Sequence, residues 1–238
     1  MNELHVFVND IRQLKSVVDF DSKKNIRIYI SPALAIECSD YINSTAGYIF
    51  YLSTPFIMRN SDCEKLSKIY REGNYKGILI IDADGLNALS EMDNNQLKNA
   101  TCQVILTPHP KEFSRLIGRS VDEILENPIE LAREFAWDNH CTVLLKGPTT
   151  IVTDGNEVIL VDRGCAGMAT AGSGDVLSGI AAAVCAANSG EIVRRVATAA
   201  YVNGLAGELA QESSGSISMI ASDTVAHIAG AVKEICGI

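Results

Sequence analysis

Short runs of apolar, largely β-branched residues recur along the chain and are separated by segments of helical pattern. These runs are almost continuously apolar rather than alternating, which is typical of strands covered on both faces, as in a parallel sheet. A different pattern follows at 149–162, where two apolar runs flank Asp154-Gly155-Asn156 and predict an antiparallel hairpin. The five earlier runs lie at 26–30, 48–52, 77–82, 103–107 and 142–146.

Capping residues mark where the intervening helices begin. The last third of the chain reads as three helices, at 175–187, at about 191–212 and from Ser222 or Asp223 onwards. The earlier signals are Ser61 or Asp62 before a segment at 61–73, a capping box from Ser120 to Glu123, and Asn127 followed by Pro128 as first helical residue.

Alternating strands and helices predict an α/β fold, with a doubly wound, mostly parallel sheet that carries an antiparallel edge hairpin. At 238 residues the chain fits a single domain over residues 1–238. In such sheets ligands bind at the carboxyl ends of the strands, so polar residues at those ends are the candidates for chemistry.

Composition and charge narrow the function classes. Hydrophobic residues make up 47% and charged residues 21%, as in a folded protein, and the formal charge of −9 disfavours nucleic acid as a partner. No apolar stretch is long enough to span a membrane, and the first residues lack the apolar core of a secretory signal. The seven scattered cysteines suit buried thiols in a reducing compartment. We therefore expect a cytoplasmic protein.

The segment "CAGMATAGSGDVLSGIAAAVCAA", residues 165–187, places Gly172, Ser173 and Gly174 immediately before a helix. A helix N-terminus presents unpaired N–H groups and partial positive charge, and the glycines let phosphate oxygens approach the backbone. Asp175 fits two roles, a helix-capping carboxylate or a base beside a bound phosphoryl group. Neither the Walker A pattern nor the dinucleotide Gly-x-Gly-x-x-Gly fingerprint is present.

Three further segments place polar residues at strand ends. His109 stands between two prolines that restrict the backbone, which suits either a ligand contact or a structural histidine. Lys146 ends an apolar strand and either faces a ligand or extends to solvent. Asp82, Asp84 and Asn87 follow a third strand, where turn and cap chemistry is as good an explanation as binding.

Four segments in this order resemble the ADP- or ATP-dependent NAD(P)H-hydrate dehydratases, a branch of the ribokinase-like proteins. The resemblance runs from about Gly77 to the C-terminus, whereas residues 1–75 depart from the family's pattern. The amino-terminal part is therefore expected to be shortened, with the family's opening strand and helix reduced or lost. The matching segments are "IDADGLNAL", "LTPHPKEFSRLIG", "VLLKGPTTIVTDG" and "GMATAGSGDVLSGIAAA".

The resemblance implies a ribokinase-like three-layer α/β/α fold and the repair of hydrated NAD(P)H. A nucleotide, ADP or ATP with Mg²⁺, would phosphorylate the C6 hydroxyl of the hydrate, and phosphate would then be eliminated. By the motif match, Asp175 would be the base and contact the substrate together with His109. The family also implies a homo-oligomer, often a tetramer. The nucleotide-binding residues would be Lys146, Gly147, Pro148, Thr149, Thr150, Gly172, Ser173 and Gly174.

Two other readings share these motifs. A ribokinase-like kinase for a small alcohol would use Asp175 in the same way and leave a stable phosphate ester. A nucleotide-binding protein without turnover would fit the divergence of residues 1–75.

Overall fold

This computed structural model describes residues 4–8, 10–20, 26–30, 34, 37–44, 50–52, 78–92, 95–100, 102–187 and 190–237. The chain divides into two compact units, Met1–Tyr75 and Lys76–Ile238, which are described one at a time. The single domain stays a prediction. The helix expected at 61–73 lies outside the described residues.

The first unit contains a three-stranded parallel sheet of order β1-β2-β3 and, among its described residues, two helices, α1 and α2. Leu14, Ile30, Leu34 and Cys38 form its buried core. The element bounds are β1 Leu4–Val8, α1 Ile11–Phe20, β2 Ile26–Ile30, α2 Ser39–Ser44 and β3 Phe50–Leu52.

Strand β2 confirms the run predicted at 26–30, and β3 covers the described end of the run at 48–52. Strand β1 and helix α1 are not predicted by the sequence pattern. The β1 segment is a short run among polar and charged residues, and it pairs in parallel with β2 along its whole length, from Leu4 opposite Ile26 to Val8 opposite Ile30. Its strand character therefore depends on pairing with a segment distant in sequence.

The second unit is built on a five-stranded sheet of order β4-β5-β6-β7-β8. Strands β4, β5 and β6 are parallel, and β6, β7 and β8 are antiparallel, which makes the sheet mixed. The predicted α/β class with an antiparallel hairpin is confirmed. The strands are β4 Ile78–Ile81, β5 Gln103–Leu106, β6 Thr142–Leu145, β7 Thr150–Thr153 and β8 Val158–Val161.

Helices cover both faces of this sheet. On one face Leu106 and Val143 pack with Phe113 and Phe135, whose rings meet edge to face with centroids 5.6 Å apart. On the other face neighbouring strand residues such as Leu144 pack with the long C-terminal helices. The continuous apolar strands therefore serve two cores, as their pattern predicts. The helices are α3 Asp84–Ser90, α4 Asn95–Lys98, α5 Pro110–Ile117, α6 Val121–Glu126, α7 Pro128–Asn139, α8 Ser173–Ala187, α9 Ile192–Ser214 and α10 Ala221–Cys236.

The caps agree with the sequence in part. Ser120 Oγ accepts a hydrogen bond from Glu123 N at 3.2 Å, and Ser120 N donates to the Glu123 carboxylate at 2.9 Å, which confirms that capping box. Asn127 precedes α7, but its side chain makes no capping hydrogen bond, because Asn127 is also the C-terminal cap of α6 and takes an irregular conformation.

The predicted cap of α10 is wrong. The N-cap residue is Ile220 rather than Ser222 or Asp223, so the helix begins earlier than expected. Asp223 lies inside the first turn, and its carboxylate accepts a hydrogen bond from Ile220 N at 2.9 Å. An acidic side chain can thus satisfy a helix N-terminus from within the first turn.

The hairpin turn is as predicted, with Gly155 at a positive φ of 93°. A Cβ at Gly155 would lie 2.7 Å from Trp137 Cα, so only glycine lets the turn approach α7. Among the described helices, none combines the length and the hydropathy that a bilayer crossing requires. Cys38, Cys141 and Cys185 are buried thiols, and burial raises the pKa of Cys141 to about 12.

Candidate active site

The parallel strands β4, β5 and β6 deliver polar residues to one edge of the second unit's sheet. Asp82 follows β4, His109 lies beyond β5, and Lys146 follows β6. Backbone hydrogen bonds fix these exits, with Thr107 N donating to Ile81 O at 3.1 Å and Lys146 N donating to Pro108 O at 2.8 Å. This is the carboxyl edge, where ligands bind in open α/β sheets.

Lys146 is held by two carboxylates at this edge. Its Nζ lies 2.9 Å from Asp82 Oδ1 and 3.8 Å from Glu112 Oε2. The three side chains are largely buried, at 25%, 16% and 9% exposure for Lys146, Asp82 and Glu112. Lys146 therefore faces the site, and of its two sequence readings the extension to solvent is wrong.

His109 is the N-cap of α5 and forms a capping box with Glu112. Glu112 N donates to His109 Nδ1 at 3.1 Å, and His109 N donates to Glu112 Oε2 at 2.8 Å. Pro110 occupies the first turn, where its missing N–H costs nothing. Because Nδ1 accepts a hydrogen bond, the proton of a neutral imidazole is on Nε2, which lies 3.4 Å from Glu112 Oε1 on a half-exposed ring.

The N-terminus of α8 abuts the Lys146 pair. A Cβ added to Gly174 would lie 3.0 Å from Asp82 Oδ2 and 3.9 Å from Lys146 Nζ, so a side chain there would press into the cluster. Ser178, one turn further along, donates from Oγ to Asp82 Oδ2 at 3.3 Å. The helix begins at Ser173, earlier than the predicted 175, so Ser173 and Gly174 lie in its first turn rather than before it. Gly172 takes a positive φ of 88° at the entrance to the helix.

Ser173 and Asp175 flank Gly174 and differ in environment. Among the described residues, Ser173 Oγ is buried without a hydrogen-bond partner. The Asp175 side chain is exposed in the first turn of α8 and forms no hydrogen bond or ion pair with any described residue. The helix thus begins with an unsatisfied Ser173 hydroxyl and an available Asp175 carboxylate, while Ser173 N donates to Thr170 O at 3.3 Å.

The remaining candidates do not join the cluster. Gly147, Pro148 and Thr149 are exposed in the bend after Lys146, and Thr150 begins β7. Asp84 is exposed at the start of α3, and Asn87 Oδ1 accepts a hydrogen bond from Arg115 at 2.6 Å. Of the polar residues predicted after β4, only Asp82 reaches the site.

Two residues of the cluster were missed by the sequence analysis. Glu112 lies inside the "TPHPKEF" segment but reads as an ordinary first-turn acid, and Ser178 reads as a small residue of a buried helix. The signal for Glu112 was its spacing of three from His109, which is the capping-box spacing. The signal for Ser178 was its position one helical turn after Gly174.

The charges of the cluster do not cancel. Lys146 contributes one positive charge, whereas Asp82 and Glu112 contribute two negative charges, and exposed Asp175 lies beside Gly174 in sequence. A polyanion such as a nucleotide would therefore raise the negative charge of the site unless a cation accompanied it. Within the described ranges, no group of three or more His, Cys, Asp or Glu side chains could hold a metal alone.

Both the sequence and the fold of the chain are similar to those of known proteins. A family model described as NAD(P)H-hydrate dehydratase matches residues 61–229. The ADP-dependent (S)-NAD(P)H-hydrate dehydratase of Cenarchaeum symbiosum (strain A) is 47% identical over 111 residues, which are 47% of this chain and 38% of that protein. The match thus spans well under half the length of that relative.

Two solved structures share the fold at low sequence identity. The ADP/ATP-dependent NAD(P)H-hydrate dehydratase of Bacillus subtilis, co-crystallised with ATP and Mg²⁺, matches with a TM-score of 0.66 at 19% identity, over 97% of this chain and 89% of that one. A ribokinase-like protein from Enterococcus faecalis matches with a TM-score of 0.64 at 16% identity, over 97% and 87%. These likenesses support the predicted ribokinase-like fold.

Proposed function

The chain belongs to the NAD(P)H-hydrate dehydratase family, and on that premise we propose that it restores NADH or NADPH from their hydrates in a nucleotide-dependent dehydration. The observation that carries the proposal is the meeting of Lys146, Asp82 and the Gly174 turn at the carboxyl edge of the parallel strands. A cation, a carboxylate and a helix N-terminus together suit the transfer of a phosphoryl group.

The reaction we propose has two steps. The C6 hydroxyl oxygen of the hydrate attacks the terminal phosphorus of ADP or ATP, its proton passes to a base, and AMP or ADP leaves. The C6–O bond then breaks, and inorganic phosphate departs with the bonding electrons while the ring nitrogen's lone pair stabilises the ring. Loss of a proton from C5 forms the double bond of NAD(P)H.

We assign the steps of binding and proton transfer to the following residues. Asp175 takes the hydroxyl proton, because it is an exposed carboxylate beside the phosphate turn and makes no ion pair with any described residue. The turn 172–174 and Lys146 bind the transferred phosphoryl group, and 147–150 hold the rest of the nucleotide. Ser173 Oγ has no hydrogen-bond partner among the described residues, so a phosphate oxygen that reached it would satisfy it.

Mg²⁺ fits this site as an ion that arrives with the nucleotide. The excess negative charge of Asp82 and Glu112 over Lys146 would hold it, together with phosphate oxygens. When bound, the ion supplies the positive charge that phosphoryl transfer requires. The described carboxylates are too few for a cage made of protein alone, which agrees with the way Mg²⁺ is usually bound.

The test is recovery of nicotinamide absorbance. Purified protein with hydrated NADH or NADPH, Mg²⁺ and either ADP or ATP is expected to regenerate the reduced cofactor, and to release one phosphate for each cofactor restored. Omission of the nucleotide is expected to abolish recovery. If a stable phosphate ester accumulates instead, the protein is a ribokinase-like kinase, and if it binds nucleotide without any turnover, the enzymatic proposal fails.

Replacing His109 by asparagine separates its two roles. Asparagine is a good N-cap, so His109→Asn is expected to keep the fold of α5 and leave the melting temperature unchanged. It removes the imidazole Nε2–H, and we expect the KM for the hydrate to rise about tenfold, the effect of one lost hydrogen bond.

The matched variant His109→Ala removes the cap as well and is expected to lower stability by about 1 kcal/mol. Steady-state kinetics and thermal unfolding measure both effects. An unchanged KM for the hydrate in His109→Asn would show that the ring makes no substrate contact.

We also propose that the chain forms a homo-oligomer, a tetramer by family resemblance, and works in the reducing cytoplasm. The first point is supported by exposed apolar side chains on α10, namely Val225, Val232 and Ile235. The second is supported by the buried thiols Cys38, Cys141 and Cys185.

A further inference from the structure

One face of α9 contacts the loop that leads from β8 to the turn 172–174. The face consists of Gly204, Gly207, Glu208 and Gln211, spaced i, i+3, i+4 and i+7 along the helix. Residues with this spacing share one side of an α-helix. The loop, residues 162–172, contains the short 3₁₀ turn Ala166–Met168 and ends at Gly172.

The two glycines allow the loop to lie directly on the helix. A Cβ at Gly204 would be 2.6 Å from Arg163 C, and a Cβ at Gly207 would be 2.2 Å from Met168 Sδ. Both distances are shorter than real contacts. A side chain at Gly204 would meet the Arg163 backbone and push the loop away, whereas one at Gly207 would displace the Met168 side chain that packs there. The glycines of α9 therefore serve close packing, since their place within a helix requires no special backbone conformation.

The two polar residues of this face bind the loop backbone. Glu208 Oε1 accepts a hydrogen bond from Gly164 N at 2.8 Å, and Gln211 Oε1 accepts one from Gly167 N at 3.1 Å. Glu208 Oε2 also accepts from Arg163 Nη1 at 2.9 Å. A single carboxylate thus holds both the backbone and a side chain at the start of the loop.

Arg163 is fixed by a second partner on α9. Its Nη2 donates to Tyr201 Oη at 3.0 Å, and the guanidinium lies 5.1 Å from the centre of the Tyr201 ring. Tyr201 precedes Glu208 by two turns, so Arg163 lies along the helix surface. The loop is consequently attached to α9 by its backbone and by the Arg163 side chain.

We propose that Glu208 and Gln211 are positioning residues for nucleotide binding, because they fix the loop 162–172 and through it the turn 172–174. This inference rests on the proposed function, in which that turn binds phosphate. Neither residue contacts the Lys146 cluster, so their effect is transmitted by the loop. Helix α8 has its own core contacts with α9, through Leu177 and Cys185 among others, which separates placement of the turn from folding of the helix.

The experiment compares Glu208→Ala and Glu208→Gln with Glu212→Ala, which alters an exposed glutamate of the same helix. Glu208→Ala is expected to weaken ADP and ATP binding, measured by calorimetry, about tenfold, as for a lost charge-assisted hydrogen bond. Glu208→Gln keeps an acceptor for Gly164 N and is expected to have a smaller effect. Glu212→Ala is expected to bind as the unaltered protein does.

Two further measurements show whether the loop 162–172 transmits the effect. Amide hydrogen exchange of the 162–172 peptide is expected to accelerate in Glu208→Ala, and the KM for nucleotide is expected to rise while the KM for the hydrate is unchanged. A folded Glu208→Ala protein with unchanged nucleotide affinity, or with unchanged exchange in this loop, would overturn the inference. If Glu208→Ala does not fold, Glu208→Gln decides by the same measurements.

Failure of the proposed function has a different signature. The unaltered protein would then fail to restore the reduced cofactor, and only if it also failed to bind nucleotide would the assignment of Glu208 and Gln211 to nucleotide binding fall with it. An active unaltered protein whose Glu208 variants bind nucleotide normally would overturn this inference alone.

Discussion

Replacing Asp175 by asparagine is expected to lower the rate of nucleotide-dependent dehydration by about 10³-fold, within the range that a general base contributes. Asparagine has nearly the same shape as aspartate but does not take the hydroxyl proton. Asp175 is exposed and forms no ion pair with any described residue, so its removal leaves no partner uncompensated. The loss is therefore expected in kcat, with the fold intact.

Nucleotide affinity separates a base from a binding residue. Asp175→Asn removes a negative charge beside the turn 172–174, so ADP and ATP are expected to bind at least as tightly as before. The matched control is Asp122→Asn, because Asp122 is also an exposed aspartate in the first turn of a helix, α6. Equal stability of the two variants with loss of turnover in Asp175→Asn alone would support the assignment.

The opposite results are equally clear. If Asp175→Asn retains the kcat of the unaltered protein, another group takes the proton. If kcat and nucleotide affinity fall together, Asp175 acts in binding. Steady-state kinetics with calorimetric titration of ADP and ATP distinguishes these cases.

Much of the second unit's fold could be predicted because its signals are local. The runs that form β5 and β6 contribute apolar side chains to the cores on both faces of the sheet. In the Asp154-Gly155-Asn156 turn, Gly155 takes the positive φ that the hairpin requires. Strand β1 carries no comparable signal, because its partner β2 lies beyond an intervening helix. The cap of α10 was predicted wrongly because an aspartate can satisfy a helix N-terminus either as the N-cap residue or from within the first turn. The sequence does not distinguish these two positions for Asp223.

The residues of the candidate site likewise divide into those with a local sequence signal and those without one. The Gly172–Gly174 turn and the His109–Pro110 start of α5 are visible in a few adjacent residues. The pairing of Lys146 with Asp82 joins residues 64 apart, and no local pattern distinguishes Asp82 from Asp84 as the partner. The end of β4 decides which aspartate pairs with Lys146, because Asp82 directly follows the strand, whereas Asp84 is already part of α3.

Glu112 and Ser178 illustrate why a network of contacts between distant residues is difficult to predict from sequence. Each is unremarkable in its own helix and becomes part of the site only through an atom of another element, Lys146 Nζ for Glu112 and Asp82 Oδ2 for Ser178. The position of Glu208 on α9 is an extreme case, because Glu208 is connected to the turn 172–174 only through the loop 162–172. Function at this site is therefore a property of contacts between helices and strand ends.

Replacing Lys146 by methionine is expected to lower kcat/KM for the nucleotide by about 10²- to 10³-fold, because it removes the ammonium that we propose binds the phosphates. Asp82 and Glu112 would then face each other and the nucleotide without compensation. Breaking a largely buried ion pair in this way costs about 3–5 kcal/mol, so the free energy of unfolding is expected to fall as well. Lys233→Met, an exposed lysine of α10, is the matched control and is expected to behave as the unaltered protein does.

The double variant Lys146→Met with Asp82→Asn separates stability from binding. Asp82→Asn removes one of the two carboxylate charges that Lys146→Met leaves uncompensated. The free energy of unfolding is therefore expected to recover by more than half of the loss. Nucleotide affinity is expected to stay low, because the ammonium proposed to bind the phosphates is still missing. Thermal unfolding and calorimetric titration of the four proteins give both quantities. Recovery of nucleotide affinity in the double variant would show that Lys146 acts only as a counter-ion of Asp82, and the phosphate site would then have to be assigned to other residues.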